Sequence, residues 1–411
     1  MRILYITHEV PFPPDNGIRI VPFHSMKLMQ ARGHEIAVCT LSGEQVRESV
    51  ESIQSRFEAL KHRLHLSHGA CLLMPARSTL ASMIDLCLGR LSYVQRFRST
   101  AFAQLLDRMI ADFKPEVVHI DSITLLQYER LFRQSACRVV ASINDSHTLT
   151  LMNQLKSGRD RGPRALARRW QLLLTRRYEQ RIYRKVSAVH VMTDVDGHFL
   201  EELTGLRHLH VIPNGVPDEL FGVSADFDRK SAIFVGSLHG NNLHAAQRFI
   251  EEGWPLVHAR HPDATLTLIG RCAPAIRDKL SAYAVQGVLL RGYVERLEEV
   301  YAGASLAISP IDKNSGVLNK LIEAMAAGVP VAGLRRSFAG ISGAEEGVHF
   351  VGADSNPELG EAIAVFLDDT RRRKMNSLRA RQLAQDRYSW TDRASAYEAM
   401  YAAEGVSGKR R

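Results

Sequence analysis

Apolar residues along the chain gather into short runs separated by longer stretches with helical spacing. "RILYIT", "EIAVCTL", "EVVHID" and "RVVASI" read as buried strands, and "AVHVM" and "HLHVIP" follow them. After a stretch rich in glycine, proline and aspartate, a second series begins: "AIFVGSL", "TLTLIG", "GVLLRGY", "SLAISP" and "VPVAGL". Continuous apolar runs, rather than alternating ones, mark strands covered on both faces, and strands alternating with helices mark parallel sheets. The strands are too many for one small sheet. The pattern therefore predicts an α/β protein of two Rossmann-like domains facing a cleft, with the break in Ile212 to Ser231. In such sheets ligands bind beyond the carboxyl ends of the strands, so each polar loop after a strand is a candidate site.

One such loop is followed by an unusual helix. In "KNSGVLNKLIEAMAAGVPVAG", Leu318, Leu321, Ile322 and Met325 recur at helical spacing, while Lys320 and Glu323 stand one turn apart. The spacing predicts a helix from Gly316 to Ala327, about 18 Å long. Asn314 or Ser315 can cap it, and Gly328 with Pro330 stops it. A helix N-terminus after a polar loop suits a phosphate. Lys320 can reach the same anion, and Glu323 can accept from ribose hydroxyls. The alternative is an exposed Lys–Glu pair with a small stabilising role.

Composition narrows the class. With 411 residues, 45% of them apolar and 24% charged, the chain reads as an ordinary globular protein of two or three domains. No run is long and apolar enough to span a membrane. Five scattered cysteines without metal spacing fit a reduced, cytoplasmic protein. The P-loop pattern is missing, and "HEVPFPPDNG" after the first strand is not a dinucleotide-binding turn. Neither a zinc-finger spacing nor an aromatic RNA-binding signature occurs, which argues against nucleic acid. The expected metal complement is none.

Taken in order, these segments resemble a GT-B-fold glycosyltransferase of family 4, the retaining, group 1 enzymes. The likeness lies in "ILYITHEVPFPPDNGIRI" and "LMQARGHEIAVCT", then in "AIFVGSLHGNNLHAAQRFI", "WPLVHARHPDATLTLIGR", "LLRGYVERLEEVYAGASLAISP" and "GVLNKLIEAMAAGVPV". "DRYSWTDRASAYEAMY" is similar to the last helices of the family, which cross back to the first domain. The resemblance implies an N-terminal acceptor-binding domain over 1–215, a nucleotide-sugar-binding domain over 216–388, and a returning C-terminal helix over 389–411. It implies transfer of a sugar, with retention, from a nucleotide-sugar donor to a glycan, lipid-linked or small-molecule hydroxyl, in polysaccharide or glycoconjugate biosynthesis. The nucleotide sugar is a co-substrate and no cofactor is expected. Glu323 matches the second glutamate of the family's signature, and Lys320 the lysine near the diphosphate. Ser315 stands where relatives carry the first glutamate. Backbone amides of Gly316 and Val317 should meet the diphosphate. Gly236, Ser237 and Asn242 fall in the family's phosphate loop, while Gly270, Arg271, Tyr293 and Val294 fall in its base-binding loops. In the first domain Gly17, Arg19, His119 and Asp145 are the expected acceptor contacts. Lys320, Asp145 and His147 are the expected catalytic residues. Two alternatives keep the fold: a nucleotide-sugar epimerase, and a non-catalytic partner protein.

The formal charge of +9 is concentrated. Lys156 to Lys185 carries eleven lysines and arginines against Asp160 and Glu179, so this segment accounts for the whole excess. A helix is expected from Ala165 to Arg176, with Leu166, Trp170, Leu173 and Leu174 on one stripe and Arg168, Arg169 and Arg176 opposite. Two readings are open. Either the segment docks on an anionic membrane at the inner face of the cell membrane, or its apolar stripe packs into the first domain and its arginines face water.

Overall fold

The computed structural model describes residues 1–15, 17–43, 49–74, 78–133, 135–156, 162–312 and 317–403. It divides into two compact units, Met1–Pro213 with Thr391–Arg411, and Asn214–Trp390. The junctions expected from sequence lay two residues away, after 215 and after 388. At this point the chain is tied to itself: the Val216 amide donates to the Tyr388 carbonyl at 2.6 Å, and the Trp390 ring lies against Gly215.

The first unit holds seven parallel strands: β1 (Arg2–Thr7), β2 (Glu35–Gly43), β3 (His68–Met74), β4 (Val117–Asp121), β5 (Arg138–Ile143), β6 (Ala188–Val191) and β7 (Leu209–Val211). Their order is β3-β2-β1-β4-β5-β6-β7. Ile3, Leu4, Tyr5 and Ile6 of β1 are all fully buried, as a run without alternation requires when helices cover both faces. The helix Thr100–Phe113 shows the complementary pattern. It buries Phe102, Leu106, Met109 and Phe113 on one stripe, is capped by Ser99, and ends at a left-handed Lys114. From Thr391 on, the last helix (Trp390–Ala402) belongs to this unit. Tyr401 Oη lies 2.9 Å from Tyr5 Oη and 2.8 Å from His119 Nδ1, and Arg138 donates to the Tyr401 carbonyl.

The second unit holds six parallel strands: β8 (Ser231–Val235), β9 (Thr265–Ile269), β10 (Val288–Gly292), β11 (Leu306–Ser309), β12 (Val331–Leu334) and β13 (Val351–Ala353). Their order, β10-β9-β8-β11-β12-β13, is the doubly wound Rossmann order. Apolar clusters fill both faces of this sheet. In each unit the winding reverses once, between β1 and β4 in the first and between β8 and β11 in the second. These are the places where a doubly wound sheet opens a crevice for ligand.

Every apolar run read from the sequence is a strand. The two strands it missed, β3 and β13, both lie at sheet edges. β3 is half-buried throughout and β13 is only three residues long, so neither has a buried strand's continuous apolar signal. The basic helix also differs from expectation. It runs from Pro163 to Ile182, and its buried residues are Thr175, Glu179 and Ile182. Its apolar stripe is not in the core, which corrects the second of the two readings given for it.

Candidate functional site

The second unit's reversal point assembles most of the expected donor residues. β8 ends in Val235, and Gly236 follows with φ +150°. That backbone conformation disfavours a side chain, and a Cβ there would crowd the ends of two side chains, 2.7 Å from Lys320 Nζ and 2.9 Å from Asn242 Nδ2. Gly270, at the end of β9, is equally constrained, since its Cβ would sit 2.2 Å from the Gly236 carbonyl oxygen. The backbones of the three strand ends are thereby stitched together. Gly236 N donates to Ile269 O, Gly270 N to Gly292 O and Leu238 N to Arg271 O, each at 2.8 Å.

Across from this loop stands the helix Asn319–Ala326. The expected helix began at Gly316; Asn314, Ser315 and Gly316 lie outside the described residues, and the residue preceding the first turn is Leu318. At the other end Gly328, with φ +65°, terminates the helix as expected. Lys320 reaches from the first turn over the Phe234 ring, 4.5 Å from its centroid, and donates to Asn242 Oδ1 at 3.3 Å. Asn242 is itself anchored, donating to the Ser237 carbonyl at 3.1 Å. Among the described residues no carboxylate comes within ion-pair distance of the Lys320 ammonium. Burial pushes its pKa down to about 8, and Glu323 partly opposes that shift. It is a cation held by one neutral amide and an aromatic face, a site that an anion would complete.

Glu323 lies one turn further in and is 8% exposed. Tyr301 Oη donates to Glu323 Oε2 at 2.9 Å and to the Lys320 carbonyl at 3.1 Å, so one buried tyrosine steadies the carboxylate and the helix that carries it. Burial raises the Glu323 pKa, while the Tyr301 hydrogen bond and Lys320 lower it. Arg271 packs over the exposed ring of Tyr293, guanidinium carbon to centroid 4.5 Å. Val294 and Val317 are half-buried, with their side chains packed against the apolar cluster of this unit.

The first unit's reversal point is different in kind. His8 follows β1, and its Nδ1 is hydrogen-bonded to the Asp121 carbonyl at the end of β4, 3.0 Å away. Burial pushes the Asp121 carboxyl up to about 8, with Glu9 adding repulsion. At the end of β5, Asp145 and His147 sit half-buried; His147 opens the helix His147–Lys156, stands 4.9 Å from the Tyr93 ring, and has its pKa lowered by burial against the upward pull of Asp145. Glu179, from the basic helix, accepts from the His147 and Thr148 amides at 3.0 and 3.3 Å and so seats that helix's first turn.

Two first-unit expectations need correction. Arg19 is buried and committed to protein carboxylates: it donates to Glu9 Oε1 at 2.7 Å and to Asp15 Oδ1 at 3.0 Å. Its charge orders the loop after β1 instead of awaiting an acid. His119 is fully buried, stacked 4.6 Å from Tyr5 and bonded to Tyr401, because the last helix covers the face of β4 that carries it. Gly17, the remaining glycine expected there, is the exposed first residue of the helix Gly17–Ala31 with open space beside it: a Cβ would meet nothing within 4 Å. Sequence reasoning missed His8, Glu9, Phe234 and Tyr301. The first two immediately follow a strand and could have been flagged by that position; the last two look like plain core aromatics in sequence.

Comparison with known proteins agrees with this layout. The family model described as "Glycosyl transferases group 1" matches residues 229–369, and "Glycosyl transferase 4-like domain" matches residues 16–215. None of the curated proteins compared matches the sequence. Similar solved structures include Anabaena Alr3699/HepE in complex with UDP and glucose, at 12% identity and TM-score 0.67, covering 97% of this chain and 98% of that one. Sucrose-phosphate synthase from Thermosynechococcus elongatus has 16% identity and TM-score 0.69, covering 98% of each. A TarM variant of S. aureus, in complex with fondaparinux, alpha-GlcNAc-glycerol and UDP, has 10% identity and TM-score 0.67, covering 98% of this chain and 99% of that one. At such identities these likenesses establish the fold.

Proposed function

The chain belongs to the group 1 glycosyl transferases of GT-B fold, and from that premise we propose that it moves a hexose-type sugar from a nucleotide-sugar donor to a hydroxyl acceptor with retention of configuration. The acceptor is a glycan or a lipid-linked intermediate of polysaccharide or glycoconjugate biosynthesis. The proposed place of work is the inner face of the cell membrane, with the basic segment Lys156–Lys185 as its contact. UDP complexes of HepE and TarM support a nucleotide sugar as donor. The TarM complex with a GlcNAc-glycerol supports a hydroxyl acceptor.

The observation that carries the reading is Lys320 at the reversal point of the second sheet. Its ammonium has no carboxylate partner among the described residues and lies beside two glycines that leave the backbone bare. A diphosphate placed there gains a half-buried cation, which stabilises negative charge as the bond to the sugar breaks. Glu323 then accepts from ribose hydroxyls, and the Arg271–Tyr293 platform lies where the base would stack. In the first unit Asp145 and His147 receive the acceptor hydroxyl. The acceptor proton passes to the leaving diphosphate oxygen on the face from which the sugar departs, so no protein nucleophile is needed. Lys320 takes the place of a metal. Lacking the first signature glutamate, with Ser315 in its place, the chain is read as holding the donor sugar with fewer charged contacts.

The test is hydrolysis and transfer across UDP-, GDP- and ADP-sugars, with and without excess chelator. One donor class turned over equally in chelator is the expected result. Epimerised donor in place of hydrolysis would replace the reading, and so would tight binding without turnover. Loss of activity restored by magnesium or manganese would refute metal independence.

A further inference from the structure

The helix Pro163–Ile182 turns its polar side inward. Its buried residues are Thr175, Glu179 and Ile182. At about 100° per residue, Leu166, Trp170 and Leu173 lie on the opposite side, and they are 69%, 42% and 38% exposed. Burial of the polar side is held by Glu179, whose carboxylate takes the amides at the start of the helix His147–Lys156. The apolar side is therefore left outward by construction.

It is not alone there. The neighbouring helix Thr79–Cys87 has Asp85 as its buried residue. Its own Leu80, Met83 and Ile84, and Leu88 just after it, are 51% to 66% exposed. The two helices touch: Trp170 Nε1 donates to the Leu86 carbonyl at 3.0 Å, and Leu174 packs beside Gly89. Seven of the eighteen exposed large hydrophobic residues among those described fall on this one pair of helices. A cluster of that kind marks an interaction surface.

The charges on the stripe and its flanks have one sign. Arg177 and Arg181 continue the outward stripe beyond Leu173, Arg169 and Arg176 flank it, and Arg90 follows Leu88; all are exposed. No carboxylate offsets them within the helix, since Glu179 is turned inward and buried.

We infer that these two helices form a composite seat for an anionic phospholipid bilayer, with the Leu and Met side chains entering the interface, Trp170 at its boundary and the arginines on the phosphates. This deepens the membrane contact proposed above by adding the Thr79–Cys87 helix, a lipid-entering element that carries no basic residue of its own. The chemistry favours lipid over the other occupants. A second copy meeting this face across a two-fold axis would set arginine against arginine. Nucleic acid offers nothing to exposed aliphatic side chains. An anionic interface satisfies both halves at once: hydrocarbon for the leucines, phosphate for the guanidinium groups.

The full chain can be sedimented with vesicles of phosphatidylcholine alone or mixed with phosphatidylglycerol, at low and high salt. It should pellet only with the anionic vesicles and detach as salt rises. Trp254 and Trp390 are buried, so a blue shift of tryptophan emission on those vesicles reports Trp170. Neutralising Arg169, Arg176 and Arg177 to glutamine should lower the partition coefficient about fivefold per arginine, on the order of a hundredfold together. The variant Leu80→Ser/Met83→Ser/Leu88→Ser should lose the pellet although every arginine remains. Undiminished binding of that serine variant would reduce the contact to charge adsorption and overturn the composite seat. Failure of the wild-type chain to pellet would overturn it outright, as would a wild-type dimer that the serine changes convert to monomer. Titration of UDP, GDP and ADP without vesicles separates this from the transferase reading. Vesicle binding without nucleotide binding sinks the transferase and leaves the seat; nucleotide binding without vesicle binding does the reverse. A serine variant that keeps its nucleotide affinity has not misfolded.

Discussion

The two units share one winding order and put opposite chemistry at the same topological place. In the second unit the crevice between β8 and β11 is mostly bare backbone, with one half-buried cation, Lys320, and no carboxylate on it among the described residues. In the first unit the crevice between β1 and β4 is crowded with acids and imidazoles: Glu9, Asp121, Asp145, His8 and His147, with Arg19 already spent on Glu9 and Asp15. A doubly wound sheet offers a site; the side chains at the reversal decide its ligand. Bare amides and a lysine suit an anionic donor. A half-buried acid and imidazole suit a neutral hydroxyl, which an arginine with an open charge would not discriminate.

The largest effect should come from removing the cation. Lys320→Ala is expected to lower turnover roughly a hundred- to a thousandfold, because transition-state charge loses its main partner, with the melting temperature little changed. Steady-state kinetics on the purified variant decides; retention of more than half the wild-type rate would make Lys320 an ordinary lysine and erase the contrast between the crevices.

Asp145→Asn probes the other side. Loss of one charged hydrogen bond to the acceptor should cost transfer about tenfold to a hundredfold, while donor hydrolysis and nucleotide affinity stay as they were. An equal fall in donor hydrolysis would show that the division of labour between the units is wrong.

Glu323→Ala should weaken the free nucleoside diphosphate roughly tenfold, since two ribose hydroxyls lose their acceptor. Tyr301 keeps the Lys320 carbonyl as a partner, so the helix should hold. Calorimetric titration tests this, and unchanged affinity would remove Glu323 from the site.

The smallest effect is a pH limb. With its pKa lowered to about 8, unliganded Lys320 loses its proton as pH rises through that value, and diphosphate affinity should fall above it. Lys320→Arg keeps its charge throughout and should flatten the limb. A profile that stays level to pH 10 in the wild type would mean the ammonium is better solvated than its burial implies.

Much of this was legible in the chain. The apolar runs set the strands because a strand buried on both faces has nowhere to put a polar side chain. Gly328 and Pro330 set the end of the Lys320 helix, and the strand–loop–helix order set its place at the sheet reversal. Edge strands escaped, since β3 and β13 are buried too little or are too short to leave a pattern. The grouping of Gly236, Asn242, Lys320 and Glu323 at one sheet reversal was legible because each falls in a loop or an early helical turn that follows a strand. First-unit residues were less so, because their fate depends on how loops and distant helices fold over them. Arg19 is taken up by Glu9 and Asp15, near in the chain but brought to it by the turn of the loop after β1, and His119 is covered by Tyr401 from the last helix.

By itself, then, the sequence determined two parallel α/β sheets, the helix stop at Gly328 and the placing of Lys320 and Glu323 one turn apart, because these depend on local period and backbone conformation. Only the tertiary structure decided which charges were left for a ligand and which way an amphipathic helix would face. The spacing of Leu166 and Trp170 fits a core face or a membrane face equally, and they stand exposed because Glu179 on the opposite side is claimed by the amides of His147 and Thr148. A buried carboxylate that loses its hydrogen bonds is costlier than a few leucines left exposed. Long-range hydrogen bonding therefore fixed the orientation that periodicity had left open.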